Sequence, residues 1–180
     1  MKSDIEFWQN VFYDSSKKQV LQGISICEQE PELFNSLFEL AMLQKGVYSQ
    51  RSSRVICQAM EKREDLFGKF IPKILESLNI LTDETIKFNF LKIFTFCNLA
   101  KDDESFGFLV NFCFKTIEGK HKFISSQVYP IQILYRISEI YPELRKELLA
   151  IILKYQYGAS AAFINCSSKI LSKLRNEVIG

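Results

Sequence analysis

This chain is poor in the residues that most enzymes need. It contains one histidine, His121, flanked by Lys120 and Lys122. A catalytic imidazole needs a carboxylate to orient it, and none can be assigned, so His121 reads as part of a solvated turn. No serine lies in a G-x-S-x-G elbow, and there is no glycine-rich phosphate loop. The five cysteines, Cys27, Cys57, Cys97, Cys113 and Cys166, form no C-x-x-C pair and no cluster with histidine. Each sits among apolar neighbours, which predicts small buried core residues, all free thiols, in a reducing cytosol. Catalytic residues, metal ligands and cofactor-binding residues are therefore expected to be absent.

Other shortages bound the architecture. With 7 Gly and 4 Pro in 180 residues, little of the chain is loop. Asn-Gly and Asp-Gly, the strongest hairpin signals, do not occur. The start, Met1-Lys2-Ser3-Asp4-Ile5-Glu6, lacks the apolar run of a signal peptide, and no apolar stretch approaches 18 residues. No membrane span is expected, and a cytoplasmic location is. The net charge of +2 is too weak to imply nucleic acid on its own.

What the chain does have is a helix-starting phrase that recurs. Pro31-Glu32-Leu33-Phe34 returns as Glu64-Asp65-Leu66-Phe67, loosely as Glu104-Ser105-Phe106, and again as Pro142-Glu143-Leu144. Aligning Phe34, Phe67, Phe106 and Leu144 gives steps of 33, 39 and 38 residues. That period signals stacked helical hairpins. Acidic residues gather at these helix starts, where negative charge complements the helix dipole. Asp102-Asp103-Glu104 is read the same way, because a cation loop needs further spaced oxygen ligands.

The spacing predicts a first helix over about 4–13, with Ile5, Trp8, Val11 and Phe12 on one face, and a second over about 16–28 after the Asp14-Ser15-Ser16 break. This pair reads as a degenerate terminal repeat over 1–30. Four hairpins follow over 31–175, with second helices at about 48–62, 83–99, 122–140 and 160–175. Pro31 and Pro142 suit first helical turns. Thr82 and Ser160 are candidate N-caps. Gly46, Gly119 and Gly158 suit left-handed helix ends. Pro72 should kink or open the 65–78 helix, and Pro130 should bend the 122–140 helix. The 83–99 helix is apolar on nearly all sides, which predicts a central position.

The 65–99 segment is similar to a HEAT repeat. It has an apolar first helix with a proline (Phe67 to Leu75), an acidic turn (Thr82-Asp83-Glu84), and an aliphatic–basic pair, Ile86-Lys87, opening the second helix. The stretch 124–153 resembles small bacterial proteins of this HEAT-like class, within the ARM/HEAT superfamily. The resemblance covers about 31–175 and implies an all-α, right-handed superhelix of about ten antiparallel helices in a single domain. Phe88, Ser126 and Cys166 stand where such repeats often carry Arg or Asp, which argues against a ladder of buried Asp–Arg bridges.

The expected role is a non-enzymatic protein- or peptide-binding scaffold working through its concave surface, which second helices line in HEAT-like stacks. Near the middle of those helices lie Arg54, Lys92, Arg136 and Lys169, in steps of 38, 44 and 33 residues, bordered by Gln58, Asn89, Gln132 and Ser172. This broken basic line would suit an acidic segment of a partner protein. In the repeat alignment Phe108 and Phe112 fall level with outward Lys69 and Lys73, which predicts an exposed aromatic patch. The alternative is a nucleic-acid binder, up to a relative of the alkylpurine DNA glycosylases. Those use tryptophans and a carboxylate in a basic groove, and here only Trp8, Tyr129 and Tyr135 could supply the aromatics.

Overall fold

The computed structural model describes residues 2–14, 16–98, 103–119 and 127–179. Among these the regular structure is all helical: α1 (Lys2–Val11), α2 (Lys17–Gln29), α3 (Leu33–Met42), α4 (Gly46–Lys62), α5 (Glu64–Phe67), a 3-10 turn (Gly68–Phe70), α6 (Ile71–Ser77), α7 (Glu84–Ile93), α8 (Asp103–Glu118), α9 (Val128–Ser138), α10 (Leu144–Tyr155) and α11 (Ala161–Ile179). Taking α5 to α6 as one interrupted arm, the order is first helix, second helix, five times over. The chain divides into two compact units, Met1–Leu99 and Ala100–Gly180.

In the N-terminal unit the second helices α2, α4 and α7 lie side by side, and α3 packs on both α1 and α4. The core is aromatic. Phe34 stacks on Phe67 at 4.3 Å between ring centroids and meets Phe70 at 4.7 Å, while Phe38 reaches Phe70 and Phe90 at 6.0 Å each. The repeating phenylalanine of the helix-starting phrase is thus the residue that joins one hairpin to the next. Gly23 of α2 allows close approach to α4: a Cβ there would lie 3.1 Å from Val55 Cγ1 and 3.2 Å from Phe12 Cε1.

The helix ends follow local chemistry. Ser16 caps α2 by accepting from the Gln19 N–H, and Ser160 accepts from the Phe163 N–H at 3.1 Å. Thr82 does not cap α7, contrary to the sequence reading. Asp83 does, accepting from Thr85 and Ile86 N–H at 2.9 and 3.1 Å, because a carboxylate reaches both orphan donors. Pro31 and Pro142 open short turns of i to i+3 bonds, and the regular helices begin two residues later. Gly46 and Gly158 take φ of +65° and +76°.

Pro72 opens its helix. It has no N–H to offer Gly68 four residues back, and its ring crowds that carbonyl. The Ile71 N–H takes the Gly68 carbonyl instead, and Gly68–Phe70 tightens into the 3-10 turn that separates α5 from α6. Helix α7 stops at Ile93 rather than near 99, in a turn over Phe94–Phe96. Pro130 sits in the first turn of α9, where its missing N–H removes no intrahelical bond. His121 and Asp102 lie outside the described residues.

In the C-terminal unit α9 is central, with α8, α10 and α11 all packed on it. Ile131, Ile133, Leu134 and Ile137 of α9 are buried, together with Leu109, Cys113 and Ile117 of α8, Leu148 and Ile152 of α10, and Phe163 and Leu174 of α11.

Candidate functional site

The eight polar and basic residues singled out from the sequence fall four to each unit. In the N-terminal unit they border the seam between α4 and α7. Asn89 Nδ2 donates to Ser53 Oγ at 2.9 Å, and Lys92 Nζ pairs with Glu61 Oε2 at 2.7 Å. Gln50 extends the seam by donating to Asp83 at 2.8 Å. Arg54, Gln58 and Glu61 lie at i, i+4 and i+7 on α4, one stripe beside that seam, and Arg54 is exposed. Neutral amide and hydroxyl groups thus supply the seam's inner bonds. The Lys92 charge is largely compensated by Glu61.

In the C-terminal unit the other four lie on α9 and α11, which pack together. Gln132 hydrogen-bonds the Cys166 thiol, and Lys173 Nζ lies over the Tyr135 ring, 5.0 Å from its centroid. Arg136 is one turn beyond Gln132, and Lys169 and Ser172 occupy the exposed side of α11. This seam has a different charge balance. Helix α9 contains no Asp or Glu and α11 none before Glu177, whereas Arg136, Lys169 and Lys173 lie on these two helices. Lys173 was not among the expected residues, because it falls outside the repeat spacing that selected the others. The signal was the run of α11 without a carboxylate.

Phe108 and Phe112 are one turn apart on α8 and stacked, with centroids 6.0 Å apart. Both are half-buried. Trp8 is fully buried and donates its indole N–H to Ser36 Oγ at 2.9 Å, and Tyr135 is buried beneath Lys173. Neither offers a free face on which a base could stack; Tyr129 is half-buried.

All five cysteines are free, four buried and Cys166 half-buried. Burial pushes the Cys27 and Cys57 thiols up to about 12, and raises Cys113 further. Cys166 is also raised by burial, against the opposing pull of the Gln132 hydrogen bond and the Lys169 charge. These four are not poised as thiolate nucleophiles. Among the described residues no group of three or more His, Cys, Asp or Glu side chains is placed to hold a metal ion, and no helix is long and apolar enough to cross a membrane.

Repeated helical hairpins, joined by recurring core phenylalanines and bordered by polar seams, define an all-α helical-repeat protein. The chain matches the HEAT repeat domain family over residues 10–174 and belongs to that family. HEAT repeats generally serve as protein-interaction scaffolds. No curated protein and no solved structure matches the chain.

Proposed function

We propose that the protein is a non-enzymatic adaptor that binds an acidic segment of a partner protein. The observation that carries this reading is the α9–α11 seam. There Arg136 of α9 and Lys169 and Lys173, one turn apart on α11, lie on two packed helices, and the first carboxylates in sequence are Glu139, just after α9, and Glu177 near the end of α11. Such a field attracts acidic chain and weakens as salt rises. The α4–α7 seam of the other unit is a weaker candidate, because Glu61 holds Lys92 and Asn89 is engaged by Ser53.

The test is capture of a fluorescent glutamate-rich peptide by the full chain. Arg136→Glu with Lys169→Glu should weaken binding at least tenfold while leaving the thermal midpoint nearly unchanged. Lys92→Glu should cost much less. Undiminished binding by the double variant would overturn the reading. So would binding of generic duplex DNA in preference to the peptide, with the steep salt dependence of phosphate contacts.

A further inference from the structure

The C-terminal unit has a second surface of opposite character, on the side formed by its first helices. α8 is tied to the turn before α10 and to the end of α10 itself. Phe106 meets the Tyr141 ring edge-on at 5.5 Å, and Glu118 pairs with Lys154 at 3.6 Å. Between these points the two helices stand apart and leave two clefts. One, of about 310 Å³, is lined by Phe106, Val110 and Leu144; the other, of about 250 Å³, by Phe114 and Ile151. The larger is mainly apolar; the smaller mixes Phe114, Ala150 and Ile151 with Glu118, Glu147 and Lys154.

Two features distinguish this crevice from an ordinary gap between helices. The first is Gly107, in the interior of α8 on the wall of the larger cleft. A Cβ there would meet nothing within 4 Å. A helix-interior glycine with open space around it weakens its helix and relieves no crowding. What it does is widen the mouth of the cleft. The second is the rim. Glu118, Glu143 and Glu147 stand along the two clefts with only Lys154 among them, and Lys154 is already paired with Glu118.

We propose that the α8–α10 crevice is a docking groove for a basic amphipathic helix of a partner protein. Phe106 and Phe114, one in each cleft, are eight residues apart on α8, or ~12 Å at 1.5 Å per residue. Apolar side chains at i and i+7 of a docked helix span ~10.5 Å, close to that distance, and this is the anchor spacing of helix-in-groove recognition. Lys or Arg flanking those anchors would face Glu143 and Glu147 at one side and Glu118 at the other. An acidic segment is excluded by the same carboxylates, so the groove and the α9–α11 seam select different partners.

The probe is an 18-residue fluorescein-labelled Leu/Lys amphipathic peptide, with a Leu/Glu peptide of the same pattern as comparison, titrated against the full chain by anisotropy. The Leu/Lys peptide should bind at least tenfold more tightly. Gly107→Leu fills the larger cleft from a position with free space, and Glu147→Lys reverses the rim at an exposed site. Each should weaken binding fivefold or more, while Lys169→Glu on the other seam leaves it unchanged. Should Gly107→Leu disturb the fold by circular dichroism, Glu147→Lys decides alone. Equal binding of the two peptides, or variants that bind like the parent, would overturn the proposal. So would a dimer in sedimentation of the chain alone that Glu147→Lys disperses, because the occupant would then be a second copy.

Discussion

Two alanine substitutions with the same chemistry should have opposite effects. Gly23 and Gly107 both lie inside helices, α2 and α8. In each, replacing glycine by alanine recovers about 1 kcal/mol of helix propensity. At Gly107 nothing lies within 4 Å of the new Cβ, so the gain is retained and Gly107→Ala should stabilise by ~0.5–1 kcal/mol. At Gly23 the new atom meets Val55 Cγ1 at 3.1 Å and Phe12 Cε1 at 3.2 Å. Val55 is fully buried and, being β-branched, cannot swing aside, and Phe12 is 1% exposed. Overpacking of this kind costs ~1–3 kcal/mol, so Gly23→Ala should destabilise by up to ~2 kcal/mol. Urea unfolding reads both. With a slope near ~2 kcal/mol per M, the Gly107 variant should move its midpoint up by ~0.3–0.5 M and the Gly23 variant down by as much as ~1 M. A Gly23→Ala midpoint raised as far as that of Gly107→Ala would refute the close packing of α2 on α4.

Further expectations follow from caps and thiols. Asp83→Ala removes the two N-terminal bonds of α7 and the Gln50 contact and should cost ~1–2 kcal/mol, whereas Thr82→Ala should cost less than ~0.5 kcal/mol in the same unfolding assay. Thiol titration should find five reactive cysteines in denaturant and, in the native protein, slow reaction at Cys166 alone. Stability should also fall in alkali. The Cys27 and Cys57 thiols ionise near 9 when unfolded and only near about 12 when folded, so their contribution is complete below pH 9 and is lost as pH rises toward 12. The slope is about 1.4 kcal/mol per pH unit for each thiol, and Cys57→Ala should remove its share of that slope.

The fold was legible because its period is carried by large residues with one physical task. Phe34 and Phe67 recur at the hairpin interval because each must fill the space between successive first helices, and the observed 4.3 Å stack is that task performed. Capping was legible where one candidate stood alone, as at Ser160. It misled at Thr82-Asp83, where two adjacent residues qualify and only the geometry of the turn chooses between them. The early end of α7 carried no signal, since Phe94 and Phe96 suit a buried helix and a buried turn equally. For the candidate site, the repeat period picked out residues that lie on α4, α7, α9 and α11, the second helices of their hairpins. It could not foresee that Glu61 would hold Lys92, a pairing 31 residues apart in sequence. Nor could it find the α8–α10 crevice, whose floor residues look like ordinary core positions until the helices are seen to part.

The most direct test of the adaptor reading is amide hydrogen exchange on the full chain with and without a saturating glutamate-rich peptide. The expected footprint is slowed exchange in α9 around Gln132–Arg136 and in α11 around Cys166–Lys173, weakening at high salt, with α8 and α10 unchanged. Protection centred on α8 and α10, or none anywhere, would contradict it.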